Sequence, residues 1–202
     1  MGVIARTVVV AVLVAVLTVS MILKQKGYGM AGIDIIKAIQ EIFTGKSNPQ
    51  QDIINILKDK GYSDKAIAGI LGNIELETGG SFDYAQQEDE GEAYGLFQFD
   101  PNGMLPYYNK YLAENELSDS IQSQIDFMDD VTKGNVTYYN EQDEKNVPIL
   151  GYGNVNKLQE SFEKDDVGEI AKDFNTIFEK GKMKTDYGNR QDLANEIYKE
   201  YF

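Results

Sequence analysis

Residues 7–23 of this chain, TVVVAVLVAVLTVSMIL, carry no charge and are bounded by Arg6 on one side and by Lys24 and Lys26 on the other. Such a run sits at the short end of what spans a bilayer. Its β-branched residues favour strands in water, but a lone segment in lipid must satisfy its own backbone N–H and C=O groups and so becomes a helix. The run therefore predicts a single-pass membrane anchor and a membrane localisation, with lipid contacted through residues 7–23. A cleaved signal peptide is the competing reading, since Gly29-Met30-Ala31 offers a small-x-small site. Against it, the apolar stretch is long and two lysines intervene before that site. Ile33, Ile35, Ile36, Ile39, Ile42 and Phe43 follow with helical spacing and end at the connector Thr44 to Pro49. The expected organisation is anchor and flanks at 1–32, stalk at 33–49 and one domain at 50–202.

Beyond residue 33 the chain carries 33 acidic residues against 16 basic ones, because only Arg6, Lys24 and Lys26 precede that point. Nucleic acid is excluded as a partner on this balance, since phosphate binding needs basic patches. An acidic domain also gains nothing electrostatically at an anionic wall or lipid surface, so proximity there falls to the anchor. The sequence contains no histidine and no cysteine. Disulfides, thiolate nucleophiles, Cys/His zinc sites and imidazole-based triads are thereby removed, and acid–base chemistry is left to carboxylates, tyrosines and lysines. Nothing in the sequence calls for a cofactor or a metal.

Apolar periodicity predicts a mainly helical (α+β) domain. Pro49 suits the first turn of a helix carrying Ile53, Ile54 and Leu57, with Gly61 as its left-handed cap. Ser63 offers an N-cap for a helix from Asp64 to about Thr78, closed by Gly79-Gly80. Ser81 to Ala93 is polar, acidic and turn-rich. Ile121, Ile125 and Met128 suggest a helix after a Ser118 cap. Val167, Ile170, Ala171, Phe174, Ile177 and Phe178 predict one continuous helix, and Leu193, Ile197 and Tyr201 a last, shorter one. Residues 134–156 read as a small hairpin or an ordered loop.

In AIAGILGNIELETGG, Ile67, Ile70, Leu71 and Ile74 form one apolar stripe, and Glu75 and Glu77 fall on its opposite edges. A carboxyl at a helix C-terminus faces the negative end of the dipole, and partial burial disfavours its charged form further; both effects suit a general acid. On this geometry alone each glutamate reads equally as a solvated residue of the last turn, and periodicity does not choose between them.

Sequence resemblance does. The stretch from Gly61 to Asn73, Glu77-Thr78-Gly79 and Ala93-Tyr94-Gly95-Leu96-Phe97-Gln98-Phe99 resemble, in order, three elements of the phage tail lysozyme family of the lysozyme-like superfamily. These are Gly-x-Ser-x-x-Ala-Ile-Ala-Gly-x-Leu-Gly-Asn, Glu-Ser-Gly and Gly-x-Gly-Leu-x-Gln-Trp. Ala171 to Phe174 with Phe178-Glu179 resembles a later family helix, and Arg190 with Ala194 and Tyr198 its closing one. The resemblance implies a virion-associated enzyme that cleaves bacterial peptidoglycan, with Glu77 as catalytic acid and Glu75 as a flanking residue. Two departures stand out: Phe99 replaces the usual tryptophan, and the segment after Gly79 is acid-rich.

Glycosidic cleavage also needs a group to activate water or stabilise the oxocarbenium-like centre. Asp83, Glu88, Asp89, Glu90 and Glu92 are the candidates for a second carboxylate, and equally read as a solvated loop. Tyr94, Gly95 and Gln98 are expected at the glycan groove, whereas Phe97 and Phe99 suit packing. Peptidoglycan is the implied substrate, and other virion proteins are further candidate partners. A lytic transglycosylase giving 1,6-anhydro products and a non-catalytic peptidoglycan-binding membrane protein are the alternatives.

Overall fold

The structure, a computed structural model, describes residues 48–87, 93–179 and 187–202. The anchor expected at residues 7–23 and nearly all of the expected stalk lie outside the described residues, as do Glu88, Asp89, Glu90 and Glu92. Pro49–Phe202 forms one compact unit. Among the described residues, no helix is long and apolar enough to cross a membrane.

The unit is mainly helical. In chain order it comprises α1 (Pro49–Asp59), α2 (Asp64–Glu77), α3 (Leu105–Glu114), α4 (Ile121–Thr132), a hairpin of β1 (Thr137–Asn140) and β2 (Lys145–Pro148), α5 (Tyr152–Phe162), α6 (Val167–Phe174), a π-helical turn (Asn175–Glu179) and α7 (Tyr187–Tyr201). The two strands are antiparallel, with Thr137 opposite Pro148 and Asn140 opposite Lys145.

Helix α2 is the axis of the core. The Ser63 hydroxyl caps its start by accepting from the Ala66 N–H at 3.2 Å. Its end is closed by Thr78, whose hydroxyl donates to the Ile74 carbonyl at 2.7 Å, and by Gly79 and Gly80 at φ of +58° and +79°, which glycine adopts without a Cβ penalty. The expected single stripe is too narrow a description. Every residue from Ala66 to Ile74 is buried, because Ala66, Ala68, Gly69 and Gly72 bury the faces that the large side chains leave. A Cβ on Gly69 would lie 2.7 Å from Ile170 Cγ2 on α6, and one on Gly72 would lie 2.7 Å from the Ala194 backbone nitrogen on α7. These glycines let both helices approach α2 closely, which is what brings residues of α6, its π-turn and α7 to the C-terminal end of α2.

Several elements differ from the sequence reading. The expected helix through Phe178 changes winding after Phe174, and the π-turn brings Asn175 and Glu179 into register, with the Asn175 amide donating to the Glu179 carboxylate at 2.8 Å. Helix α4 is capped by Ser120 rather than Ser118, since Ser123 at its third position completes a reciprocal capping box with Ser120. Helix α7 is not short but the longest of the described helices, at 15 residues. The 134–156 segment is a hairpin that gives way to α5 at Tyr152, a helix that starts after Gly151 without a side-chain cap.

Candidate active site

Glu77 ends α2, and its carboxylate pairs with the guanidinium of Arg190 on α7. That guanidinium is shared. Its other terminal nitrogen donates to Glu179 Oε2 at 3.0 Å and to Asn73 Oδ1 at 3.1 Å. Asn73, one turn before Glu77 and fully buried, also donates its amide to the Gly69 carbonyl at 2.8 Å and the Ala171 carbonyl at 3.0 Å, tying α2 to α6. A buried cation is thus held between two acid side chains and an amide, as an uncompensated buried charge would demand.

The two carboxylates differ in exposure. The Glu77 side chain is 23% exposed and the Glu179 side chain 5%. Burial pushes the Glu179 carboxyl up to about 8, against the lowering effect of Arg190 and with a further push from the nearby Glu77 charge. Among the described residues its Oε1 has no hydrogen-bond partner. Glu75 takes another course: it faces Glu196 and Glu200 of α7, and burial followed by those like charges raises its pKa.

Glu179 lines a cleft of about 430 Å³, together with Gln98, Asp100, Met104, Tyr107 and Ile149 among others. Glu77 is not part of that lining and adjoins the cleft through Arg190 and Glu179. One wall is Phe97–Asp100, the end of a tight turn closed by the Phe99 N–H donating to the Tyr94 carbonyl at 2.8 Å. Leu96, Phe97 and Phe99 are buried beneath it, with Phe97 against Phe174 and Phe178 of the α6 segment, and Phe99 edge-on to Phe127 and beside Tyr108. Phe99 is therefore a packing residue in this chain.

Of the three residues expected at the groove, Gln98 lines the cleft; Tyr94 and Gly95 are not among its lining residues. Gln98 sits at φ +45°, donates its amide to the Gly95 carbonyl at 2.9 Å, and leaves a buried Oε1 without a hydrogen-bond partner among the described residues. The Tyr94 hydroxyl instead donates to Asp119, and burial, followed by that hydrogen bond, raises its pKa. Gly95, at φ +79°, lies flat against Gln124, whose amide atoms a Cβ would meet at 2.4 to 2.7 Å. Both residues close the loop rather than face the cleft. Asp83 is exposed, accepts from the Ala85 N–H at 2.9 Å in a local turn, and is likewise not among the cleft-lining residues.

Periodicity left four residues unassigned. Glu179 and Arg190 lie more than a hundred positions from Glu77, so no spacing links them; only the family resemblance touched them. Asp119 and Gln124 hold the turn from below: Gln124 Oε1 accepts from the Leu96 N–H at 2.8 Å, and its amide donates to Tyr84 O at 2.8 Å and Asp119 Oδ1 at 3.0 Å. A glutamine on the apolar face of a helix, one turn after Ile121 and one before Met128, was the available signal.

No curated protein matches the chain. The profile of the family described as phage tail lysozyme matches residues 48–201, the whole compact unit but its last residue and well over half of the sequence, with Glu77, Glu179 and Arg190 all inside the match. The chain belongs to the phage tail lysozyme family.

Proposed function

We propose that this chain cleaves the glycan strand of bacterial peptidoglycan at its MurNAc–GlcNAc β-1,4 bond, with Glu77 as the general acid, for cell entry or host lysis. Family membership supports peptidoglycan degradation of the lysozyme kind. The observation that carries the residue assignment is the shared guanidinium. Arg190 fixes the Glu77 carboxyl at the end of α2; as general acid Glu77 enters the step protonated, and Arg190 stabilises the carboxylate left after that proton passes to the leaving oxygen. Glu179, holding its own proton, keeps this buried set from accumulating a second negative charge. Arg190 and Glu179 are positioning residues in this reading.

The second carboxylate is Asp100 in this account. It is exposed, lines the cleft beside Gln98, and has its Oδ1 fixed by the Asn102 N–H at 2.6 Å. In an inverting hydrolase such a group activates water on the face of the sugar opposite the acid. A transglycosylase needs no external water, because the sugar's 6-hydroxyl attacks. Mass spectrometry of digested peptidoglycan separates the two, since the hydrolytic product is heavier than the 1,6-anhydro product by one water. Fragments ending in a reducing sugar support the hydrolase, and anhydro ends overturn it in favour of the transglycosylase.

One observation favours a second assignment of roles. Glu179 lies in the cleft and keeps its proton near neutral pH, so it can serve as the donor with Glu77 as its charge partner. Under that assignment Glu179→Gln abolishes turnover; under the first it retains most of it, because the glutamine amide oxygen can still accept from Arg190 and Asn175.

The membrane anchor at residues 7–23 completes the proposal. It would hold an acidic domain within reach of the murein layer and set its local concentration by tether length. Retention of the full-length protein in the membrane fraction after carbonate extraction is expected; release into the soluble fraction with a new N-terminus near Gly32 would establish signal-peptide cleavage instead.

A further inference from the structure

The hairpin has two edges, and they are not alike. The Ile149 N–H donates to the Val136 carbonyl at 3.0 Å, so that pair is hydrogen-bonded; with Tyr138 opposite Val147, the alternation of an antiparallel ladder makes Tyr138–Val147 the next bonded pair. Thr137 and Tyr139 on β1, and Asn146 and Pro148 on β2, therefore turn their backbone polar groups outward. On β2 those groups are largely taken. The Tyr152 hydroxyl donates to the Asn146 carbonyl at 3.3 Å, the Gly151 N–H donates to the Pro148 carbonyl at 2.8 Å, and Pro148 has no N–H to offer. On β1 the outward N–H and C=O groups of Thr137 and Tyr139 have no hydrogen-bond partner among the described residues. An edge left open in this way is a template for pairing with another chain, which is why proteins ordinarily blunt it with proline, a bulge or a covering element.

The open edge borders a place for such a chain. A trough of about 510 Å³ lies beside β1, with α3 as its far wall; Thr137, Tyr138 and Tyr139 line it, whereas β2 contributes only Asn146. Bounded by a helix, the trough admits a single extended strand and not a second sheet, which disfavours pairing with a second copy of this chain. Charge then selects the segment. Glu114 and Asp130 line the trough against Lys110, and the exposed hairpin turn sets Glu141, Asp143 and Glu144 against Lys145. Tyr138 and Tyr139, 42% and 60% exposed, offer ring faces to a guanidinium. We propose that β1 accepts an extended, arginine-bearing segment of a partner protein as a third strand, held by main-chain hydrogen bonds to Thr137 and Tyr139 and by the acidic rim of the trough. The strand is four residues long, so a short stretch of the partner suffices. This docking does not depend on the glycan-strand reading of the cleft.

The test is amide hydrogen exchange, read residue by residue on the full-length chain in detergent, with an acetylated and amidated peptide of alternating arginine and threonine as the probe. At millimolar peptide the Thr137 and Tyr139 amides, fast to exchange in the free protein, are expected to become protected, while the Tyr138 amide, already paired with Val147, changes little. The same peptide with glutamate for arginine is expected to bind at least tenfold more weakly, ~1.4 kcal/mol. A fully N-methylated arginine peptide, which keeps the charge and lacks every backbone donor, is expected to give no protection. Thr137→Pro removes one outward N–H and leaves the bonded pairs of the hairpin in place; it should weaken peptide binding and leave the rate of wall solubilisation at the parent value. Because the N-methylated control alters only the probe, the comparison survives a misfolded variant. Absence of protection with the arginine peptide, or equal protection with its N-methylated form, overturns the proposal. So does protection of the same two amides by an N-acetylglucosamine hexamer and not by the peptide, which would give the trough to a glycan.

Discussion

Glu179 is a buried acid that keeps its proton, and this has a thermodynamic consequence. Between the ordinary glutamate value of 4.5 and about 8, the folded protein binds a proton that the unfolded chain has released. Stability must therefore fall as pH rises through that window, and the contribution is complete only below it. Thermal melts of the Glu179→Gln variant across the same range should show a shallower decline than the parent protein. Parallel slopes would mean that Glu179 is ionised in the folded state. Loop residues offer a second point of attack. Gln124→Ala strips the Leu96 N–H, the Tyr84 carbonyl and Asp119 of a buried partner. It should destabilise by about 1–3 kcal/mol and lower activity, because the turn carrying Gln98 loses its support. Chemical denaturation and turbidity clearance measure the two effects, and unchanged values in both would deny Gln124 that role.

At the scale of elements, the close contact of α2 with α6 and α7 is what positions Arg190. Gly72→Ala places a methyl group 2.7 Å from the α7 backbone, which can yield only by moving the helix. A loss of about 1–3 kcal/mol is expected in urea melts, together with reduced activity, since displacement of α7 carries Arg190 with it. Wild-type stability in this variant would show that α7 is free to shift. Much of α2 was legible in the sequence because its signals are local: Ser63 at the start, Gly79-Gly80 at the end, and the apolar stripe of Ile67, Ile70, Leu71 and Ile74 between; that its small residues are buried as well was not. Helix α5 was not, because Gly151 gives no side-chain cap and only Val155, Leu158, Ser161 and Phe162 are buried along its length. The π-turn was invisible for a different reason. It alters winding without altering which apolar residues face the core, so the pattern through Phe178 reads as a plain helix. The site itself was half legible. Glu77 has a motif around it, whereas Arg190 and Glu179 reach it only through the packing of three distant helices.

The molecule as a whole is acidic, with 33 Asp and Glu against 19 Lys and Arg. Long-range attraction to an anionic wall is therefore weak or repulsive, and salt should screen a repulsion rather than an attraction. A chain lacking residues 1–48 retains the compact unit Pro49–Phe202 and should fold, cleave isolated walls, and lose little activity or gain some between low and physiological salt. A steep loss over that range would reveal a basic wall-binding surface that the charge balance does not provide. The central claim, that Glu77 donates the proton for glycan cleavage, is tested most directly by the rate at which purified peptidoglycan is solubilised. The parent protein and its Glu77→Gln, Glu75→Gln and Glu179→Gln variants should be compared side by side, each confirmed as folded. Glu77→Gln is predicted to fall by about 10²- to 10⁴-fold, the usual cost of losing a general acid, while the other two keep most of the parent rate. Retention of the parent rate by Glu77→Gln, or abolition in Glu179→Gln alone, would contradict the assignment.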